Sequence, residues 1–407
     1  VLGVEQEVSR VIVRCKPDQP LDTDHPARPF RLLLCWLGTV IGCAGLSAAF
    51  LHGLSTVSVA FNNQGWLLYS LPLLGLASVW IYRHWAAAAD GGMRRVQDAV
   101  EGGQTLAPST APAIVATTLL SHLGGASVGR EGTAVQMGAG IADLCVDWAK
   151  PGPGARRMLL LCGIAAGFSA VFGTPLAAAI FALEFVRQRS WGVVPCLAAA
   201  FLADLVGRKI FFATHADYRL PVPATYDLEG LGSAAVLGLA CGLIARLYLW
   251  LSQHEAARKN DQPYARIFFA GVTFSLMVYF YQLQDFTGLG LHVIDSALVE
   301  PSAPKIFLIK LLLTGLCVCA GYRGGEVTPL FFVGATLGSA AAAYLSLPLG
   351  VCAALGFVAV FAGAGAMPLA GAVMAGELFG WSIGGYALLA CAVSWLVAGR
   401  KGLYSEA

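Results

Sequence analysis

Two glutamates limit what this chain can do. Glu131 stands beside Arg130 in the stretch SVGREGTAVQ, with Gly129 and Gly132 on either side, and Glu326 follows Gly324 and Gly325 in GYRGGEVTP. Each opens a long apolar segment. A carboxylate so placed can carry a proton when neutral and, when ionised, can compete with a dissolved anion for the free N–H groups at a helix start. Neighbouring glycines let such a ligand reach the backbone. Other chemistries lack their residues. The seven histidines (His25, His52, His84, His122, His215, His254 and His292) show no ligand spacing, and no H-E-x-x-H or phosphate-binding loop occurs. Ser127 has no evident histidine partner, so an intramembrane hydrolase is disfavoured. No metal or other cofactor is expected, and uphill transport would have to draw on an ion gradient or a partner subunit. No block of Lys and Arg suggests nucleic acid.

The elements that must hold these groups are membrane helices. Charged residues make up 12% of the chain, against roughly 25% in soluble domains, and hydrophobic residues make up 57%. Mean hydropathy is +0.69. Leu32 to Tyr82 contains no Asp, Glu, Lys or Arg, enough for two spans with NNQG (Asn62 to Gly65) as the turn between them. Val327 to Gly376 is also free of charge. Breaks such as GTPLAAA and GAMPLAGA survive in lipid only where protein or a wet cavity satisfies the freed backbone, which suggests a bundle around an internal site. The eleven cysteines lie mostly in apolar segments without paired spacing and read as small buried hydrophobes.

The chain also contains itself twice. The pattern Gly-x-Glu-x-Thr occurs in GREGT (Gly129 to Thr133) and again 195 residues later in GGEVT (Gly324 to Thr328). PLAAAIFALE (Pro175 to Glu184) returns 193 residues later as PLAGAVMAGE (Pro368 to Glu377). The agreement predicts a first membrane repeat over 30–210, a linker over 211–230 and a second repeat over 231–407, and the nine charged residues and four prolines of residues 1–29 predict a polar N-terminal tail. Duplicated membrane halves are a transporter architecture, with the site at the repeat interface near mid-membrane. Glu184 and Glu377 occupy equivalent positions, so a shared structural task, such as capping a neighbouring helix, is expected of them.

With these motifs in this order the chain resembles the CLC family of anion channels and anion/proton antiporters. That family carries a GREGP-type segment with a gating glutamate, a GSGIP-type segment upstream, a GxFxP segment in the second half and a tyrosine near the last helix. GREGT matches the first, GGEVTP (Gly324 to Pro329) occupies the third, and KGLYS (Lys401 to Ser405) resembles the tyrosine segment through Tyr404. The departures narrow the resemblance. The upstream segment reads DGGMRRV (Asp90 to Val96) and lacks Ser-Gly-Ile-Pro. Val327 stands where a phenylalanine is expected, and Phe185 follows Glu184 where proton-coupled chloride antiporters have a second acidic residue. The pattern is similar to the fluoride-exporting branch, in which a methionine replaces the serine and GGEVTP is characteristic.

The resemblance implies an all-α polytopic membrane protein, an inverted repeat whose broken, tilted helices meet at a mid-membrane anion site. It implies fluoride export in exchange for protons, with Glu131 as gate and Glu326 in proton coupling. The anion path would run along Met93, Gly129, Arg130, Gly132, Val327, Thr328 and Tyr404. The partners implied are fluoride, protons, the lipid bilayer of a bacterial inner (plasma) membrane and a second copy in a homodimer, with no nucleic acid and no cofactor. The chain ends three residues after Tyr404, so no cytoplasmic regulatory domain is expected. A chloride/proton antiporter or a passive channel of the same family stays open as an alternative. So do plainer roles: an ion pair of Glu131 with Arg130, a pair of Glu326 with Arg323, Met93 as packing, and Tyr404 as an interfacial aromatic.

Overall fold

The computed structural model describes residues 28–186, 192–215, 218, 220, 226–257 and 262–404. The expected N-terminal tail therefore lies outside the described residues except for its last two, as does part of the linker. Among the described residues regular structure is helical, with one isolated backbone bridge. The first half holds α1 (Arg28–Asn63), α2 (Leu71–His84), α3 (Gly92–Val100), α4 (Thr110–Leu123), α5 (Glu131–Ala149), α6 (Pro153–Phe172), α7 (Pro175–Phe185) and α8 (Val193–Lys209). The second holds α9 (Leu228–Ala257), α10 (Pro263–Tyr281), α11 (Leu291–Val299), α12 (Lys305–Ala320), α13 (Val327–Ala341), α14 (Leu349–Gly365), α15 (Pro368–Phe379) and α16 (Gly384–Ala398).

Among the described residues, seven helical stretches are long and apolar enough to cross a membrane. At 1.5 Å per residue α1 extends about 54 Å, well beyond a hydrocarbon core of roughly 30 Å. In contrast α4, α7 and α15 have 14, 11 and 12 residues, too few to cross. The break before α7 follows from its sequence. Gly173 closes α6 with φ +73°, and Pro175 opens α7 at a position where its missing N–H costs nothing. The repeat does the same with Ala366 at φ +57° and Pro368.

Small residues bring the helices together in both halves. A Cβ on Gly138 (α5) or Gly163 (α6) would collide with the carbonyl oxygen of the other, and Gly334 (α13) and Gly356 (α14) are related in the same way. In lipid such close packing replaces the hydrophobic effect as the cohesive force. Burial differs sharply among the spans: α6 is 83% enclosed by the bundle over its apolar stretch, whereas α10 is only 28% enclosed and lies on the outside. Aromatic rings join the halves, with Phe172 edge-on to Phe331 at 6.0 Å and Phe181 stacked on Phe361 at 6.4 Å. Arg156 grips Asp143 through two bonds of 2.9 Å, and the Leu106 N–H donates to the same carboxylate at 2.6 Å.

Contacts between the halves are reciprocal. Glu377 on α15 accepts the Leu176 and Ala177 N–H groups at the start of α7, at 2.9 and 2.8 Å. Glu184 on α7 accepts those of Leu369 and Ala370 at the start of α15, at 3.1 and 2.8 Å. Each glutamate thus caps the other's helix, the shared task expected from the repeat. Reciprocity of this kind is the mark of a local two-fold axis between the halves.

Candidate functional site

The backbone bridge lies on the same relation. Gly129 and Gly325 pair antiparallel, each N–H donating to the other's carbonyl, with the Gly325 N–H at 2.8 Å. This pairing sets two helix starts side by side: α5 begins at Glu131 after the N-cap Arg130, and α13 begins at Val327 after the N-cap Glu326. The structural register of the repeat is therefore one residue later than the match of Glu131 with Glu326. Glu131 is the first residue of its helix, whereas Glu326 is one step outside. The difference decides what each carboxylate can reach.

Glu131 is 1% exposed, and its carboxylate sits between the two helix starts. One oxygen accepts the Arg130 N–H and the Thr328 N–H, both at 3.0 Å, and the other accepts the Thr328 hydroxyl. Unpaired N–H groups and the positive ends of two helix dipoles favour negative charge at this point. Glycine is required around it. A Cβ on Gly325 would lie 2.9 Å from the Glu131 carboxylate, and one on Gly132 would lie 3.0 Å from the Gly324 carbonyl oxygen. Thr133, which matches Thr328 in the motif, bonds Thr118 instead at 2.7 Å.

The plainer roles proposed for these groups find different partners. The Arg130 guanidinium makes no salt bridge to Glu131 among the described residues; it lies 5.3 Å above the Phe172 ring. Arg323 pairs with Asp90 at 2.7 Å and covers the Tyr82 ring at 4.1 Å, which leaves Glu326 without that cation. The Asp90–Arg323 pair also ties the Met93 segment to the GGEV loop. Gln97 on α3 then donates to the Phe185 carbonyl at 2.8 Å, and the Phe185 ring packs edge-on against Tyr404 at 5.4 Å. Met93, half-buried at the start of α3, sits on the element that links these two regions.

Tyr404 is 9% exposed. Its segment folds back on the end of α14, where the Leu403 N–H donates to the Ala364 carbonyl at 2.8 Å. The Tyr404 phenol lies within electrostatic range of both Glu326 and Glu131. Glu326 makes no side-chain bond to the first turn of its own helix. The buried Val327 adds an apolar surface between Glu326 and Thr328.

Beside the seated carboxylate is a cavity of about 20 Å³, room for one water-sized body. Arg130 and Thr328 supply its polar wall, and Phe172, Tyr218, Phe331 and Phe357 form an aromatic one. Met93, Glu326 and Tyr404 do not line it. The aromatic wall escaped sequence reading because its residues come from four separated segments with no shared spacing. Gly325 was legible, since it belongs to the same glycine-rich motif as Glu326.

Comparison with known proteins agrees with this architecture. Residues 74–399 match the family described as "Voltage gated chloride channel". A "Chloride/fluoride channel protein" of Pseudomonas syringae pv. tomato is 37% identical over 399 residues, covering 93% of this chain and 88% of that protein. An "H(+)/Cl(-) exchange transporter ClcA" of Cronobacter sakazakii is 25% identical over 401 residues, covering 88% of this chain and 84% of that protein. The crystal structure of a CLC-type fluoride/proton antiporter superposes with a TM-score of 0.88 at 27% identity, over 93% of this chain and 98% of that one. A slow cyanobacterial Cl−/H+ antiporter shares the fold, with a TM-score of 0.79 at 20% identity over 93% and 96% of the two chains.

Proposed function

The chain belongs to the voltage gated chloride channel family, the CLC anion transporters and channels, and from that premise we propose that it exports fluoride in exchange for protons. The observation that carries this reading is the position of Glu131. Its carboxylate occupies donors from two helix starts, one from each half, where an anion would otherwise bind. Ionised, it excludes the anion. Protonated, it gains less from those donors and leaves, and fluoride, another compact and strongly hydrogen-bonding anion, takes its place. Two negative charges cannot share the position, so the anion and the proton move in opposite directions.

Fluoride gives up its water only where other donors replace it. The Thr328 hydroxyl, the Tyr404 phenol and the backbone N–H groups of the two helix starts are suited to that task. Glu326 is the second proton station, in the half of the site where Phe185 fills the place of a further acidic residue. Met93, Gly129, Arg130, Gly132 and Val327 complete the path, and Met93 withholds the hydroxyl that would favour chloride. The preference for fluoride over chloride is supported by the Met93 and GGEVTP pattern together with the relative and the solved structure whose names include fluoride. We further propose a homodimer with one pathway per subunit in a bacterial inner membrane.

The test is reconstitution in liposomes, with fluoride and chloride efflux followed by ion-selective electrodes while internal pH is recorded. Fluoride efflux that far outpaces chloride and drives protons uphill is the expected result. Equal chloride flux would overturn the fluoride assignment, and fluoride flux without proton movement would make the protein a channel.

A further inference from the structure

Tyr248 lies within α9 in the stretch LIARLYLWL. It is 1% exposed, and its hydroxyl has no hydrogen-bond partner among the described residues. Leaving a buried phenolic O–H unsatisfied is unfavourable, and phenylalanine would fill the same space without that cost. The packing around it shows what the hydroxyl could serve. Helix α9 lies against α12 and α13. That contact brings the hydroxyl within electrostatic range of Glu326 at the start of α13, Cys319 near the end of α12, and the Tyr404 phenol. Of these groups, the carboxylate is the strong acceptor, and it makes no bond to the first turn of its own helix. A buried donor without an acceptor and a carboxylate that does not cap its own helix thus lie in the same region.

We propose that Tyr248 is a positioning residue for Glu326: its hydroxyl donates a hydrogen bond to the Glu326 carboxylate whenever that group has released its proton. The proposal rests on the proton-coupled reading of Glu326 given above. A phenol can donate to the ionised carboxylate and release it when the carboxyl is protonated, because the O–H rotates freely about its bond. Tyr248 thereby sets the pH at which the second proton station reloads. Tyr404 is in range of both Glu326 and Glu131, whereas Tyr248 is in range of Glu326 alone among the two glutamates.

The variant Tyr248→Phe removes the hydroxyl and keeps the ring. Without this donor the ionised form of Glu326 is less stable, so its carboxyl takes up a proton at higher pH. The pH midpoint of fluoride-driven proton transport on the Glu326 side should rise by about 1–2 units. In the Glu326→Gln background the same change should have no further effect, because the two act as one unit. An unchanged midpoint, or an equal effect of Tyr248→Phe in both backgrounds, would overturn the proposal. Infrared titration of the carboxyl band that disappears in Glu326→Gln reads the same shift in purified protein without transport. If wild type moves no protons against fluoride, the transport reading fails; if the infrared midpoint is unmoved in Tyr248→Phe, the role of Tyr248 fails.

Discussion

Replacing Thr328 by valine separates the donors that hold Glu131, the proposed gate. The side chain keeps its shape and the Thr328 N–H survives, as does the Arg130 N–H, so two of the three donors to Glu131 remain. The donor lost is a hydroxyl bonded to a charged group in a buried site, worth about 1.5–3 kcal/mol. At about 1.4 kcal/mol per factor of ten, the seated, ionised gate loses roughly 10- to 150-fold in population relative to its unseated form. In proteoliposomes at high pH, where seating of the ionised carboxylate closes the path, Thr328→Val should leak fluoride one to two orders of magnitude faster than wild type and carry fewer protons per fluoride. Thr328→Ser keeps the hydroxyl and should behave like wild type. The reasoning is refuted if Thr328→Val leaves leak and coupling unchanged, or if Thr328→Ser is as impaired as Thr328→Val.

Three further perturbations follow from the same geometry. Gly325→Ala would place a Cβ 2.6 Å from the Gly132 backbone nitrogen and 2.9 Å from the Glu131 carboxylate, so it should force the two helix starts apart, uncouple fluoride flux from protons and lower the thermal unfolding temperature; coupled flux at unchanged stability would contradict the need for glycine there. Glu377→Gln and Glu184→Gln each weaken a charged cap on two N–H groups of the opposite half, and each should lower stability by about 1–2 kcal/mol in thermal unfolding. The two losses should be similar, since the contacts are reciprocal. Asp143→Ala strands Arg156 and the Leu106 N–H and should cost about 3–5 kcal/mol, seen as loss of monodisperse protein on extraction; unchanged thermal stability would contradict the reading of this pair as structural.

Sequence alone located the two helix starts, because glycine, glutamate and threonine recur there with fixed spacing and few other residue types permit so close an approach. It also paired Glu184 with Glu377, since both end the same repeated phrase. It missed the one-residue difference in register. Motif matching counts residue types, whereas the starts of α5 and α13 are fixed by the bridge between Gly129 and Gly325. Partnerships across the fold were equally hidden. Glu131 and Arg130 are neighbours in sequence, yet the carboxylate reaches Thr328 while the guanidinium turns to Phe172. Arg323 precedes Glu326 by three positions but pairs with Asp90, far away in the chain. Lys310 lies inside the apolar helix α12, and the fold buries it with its ammonium donating to the Phe286 and Gly288 carbonyls. Local spacing carried no sign of any of these, because each is decided by which helices pack together.

The central claim is that Glu131 and the anion compete for one place, and Glu131→Gln tests it most directly. Glutamine keeps the size of the side chain and can never carry the negative charge or deliver the proton. With a fluoride gradient across reconstituted liposomes and internal pH recorded, the variant should still pass fluoride while proton movement falls to the level of empty vesicles. Proton transport by Glu131→Gln at the wild-type ratio to fluoride would contradict the account.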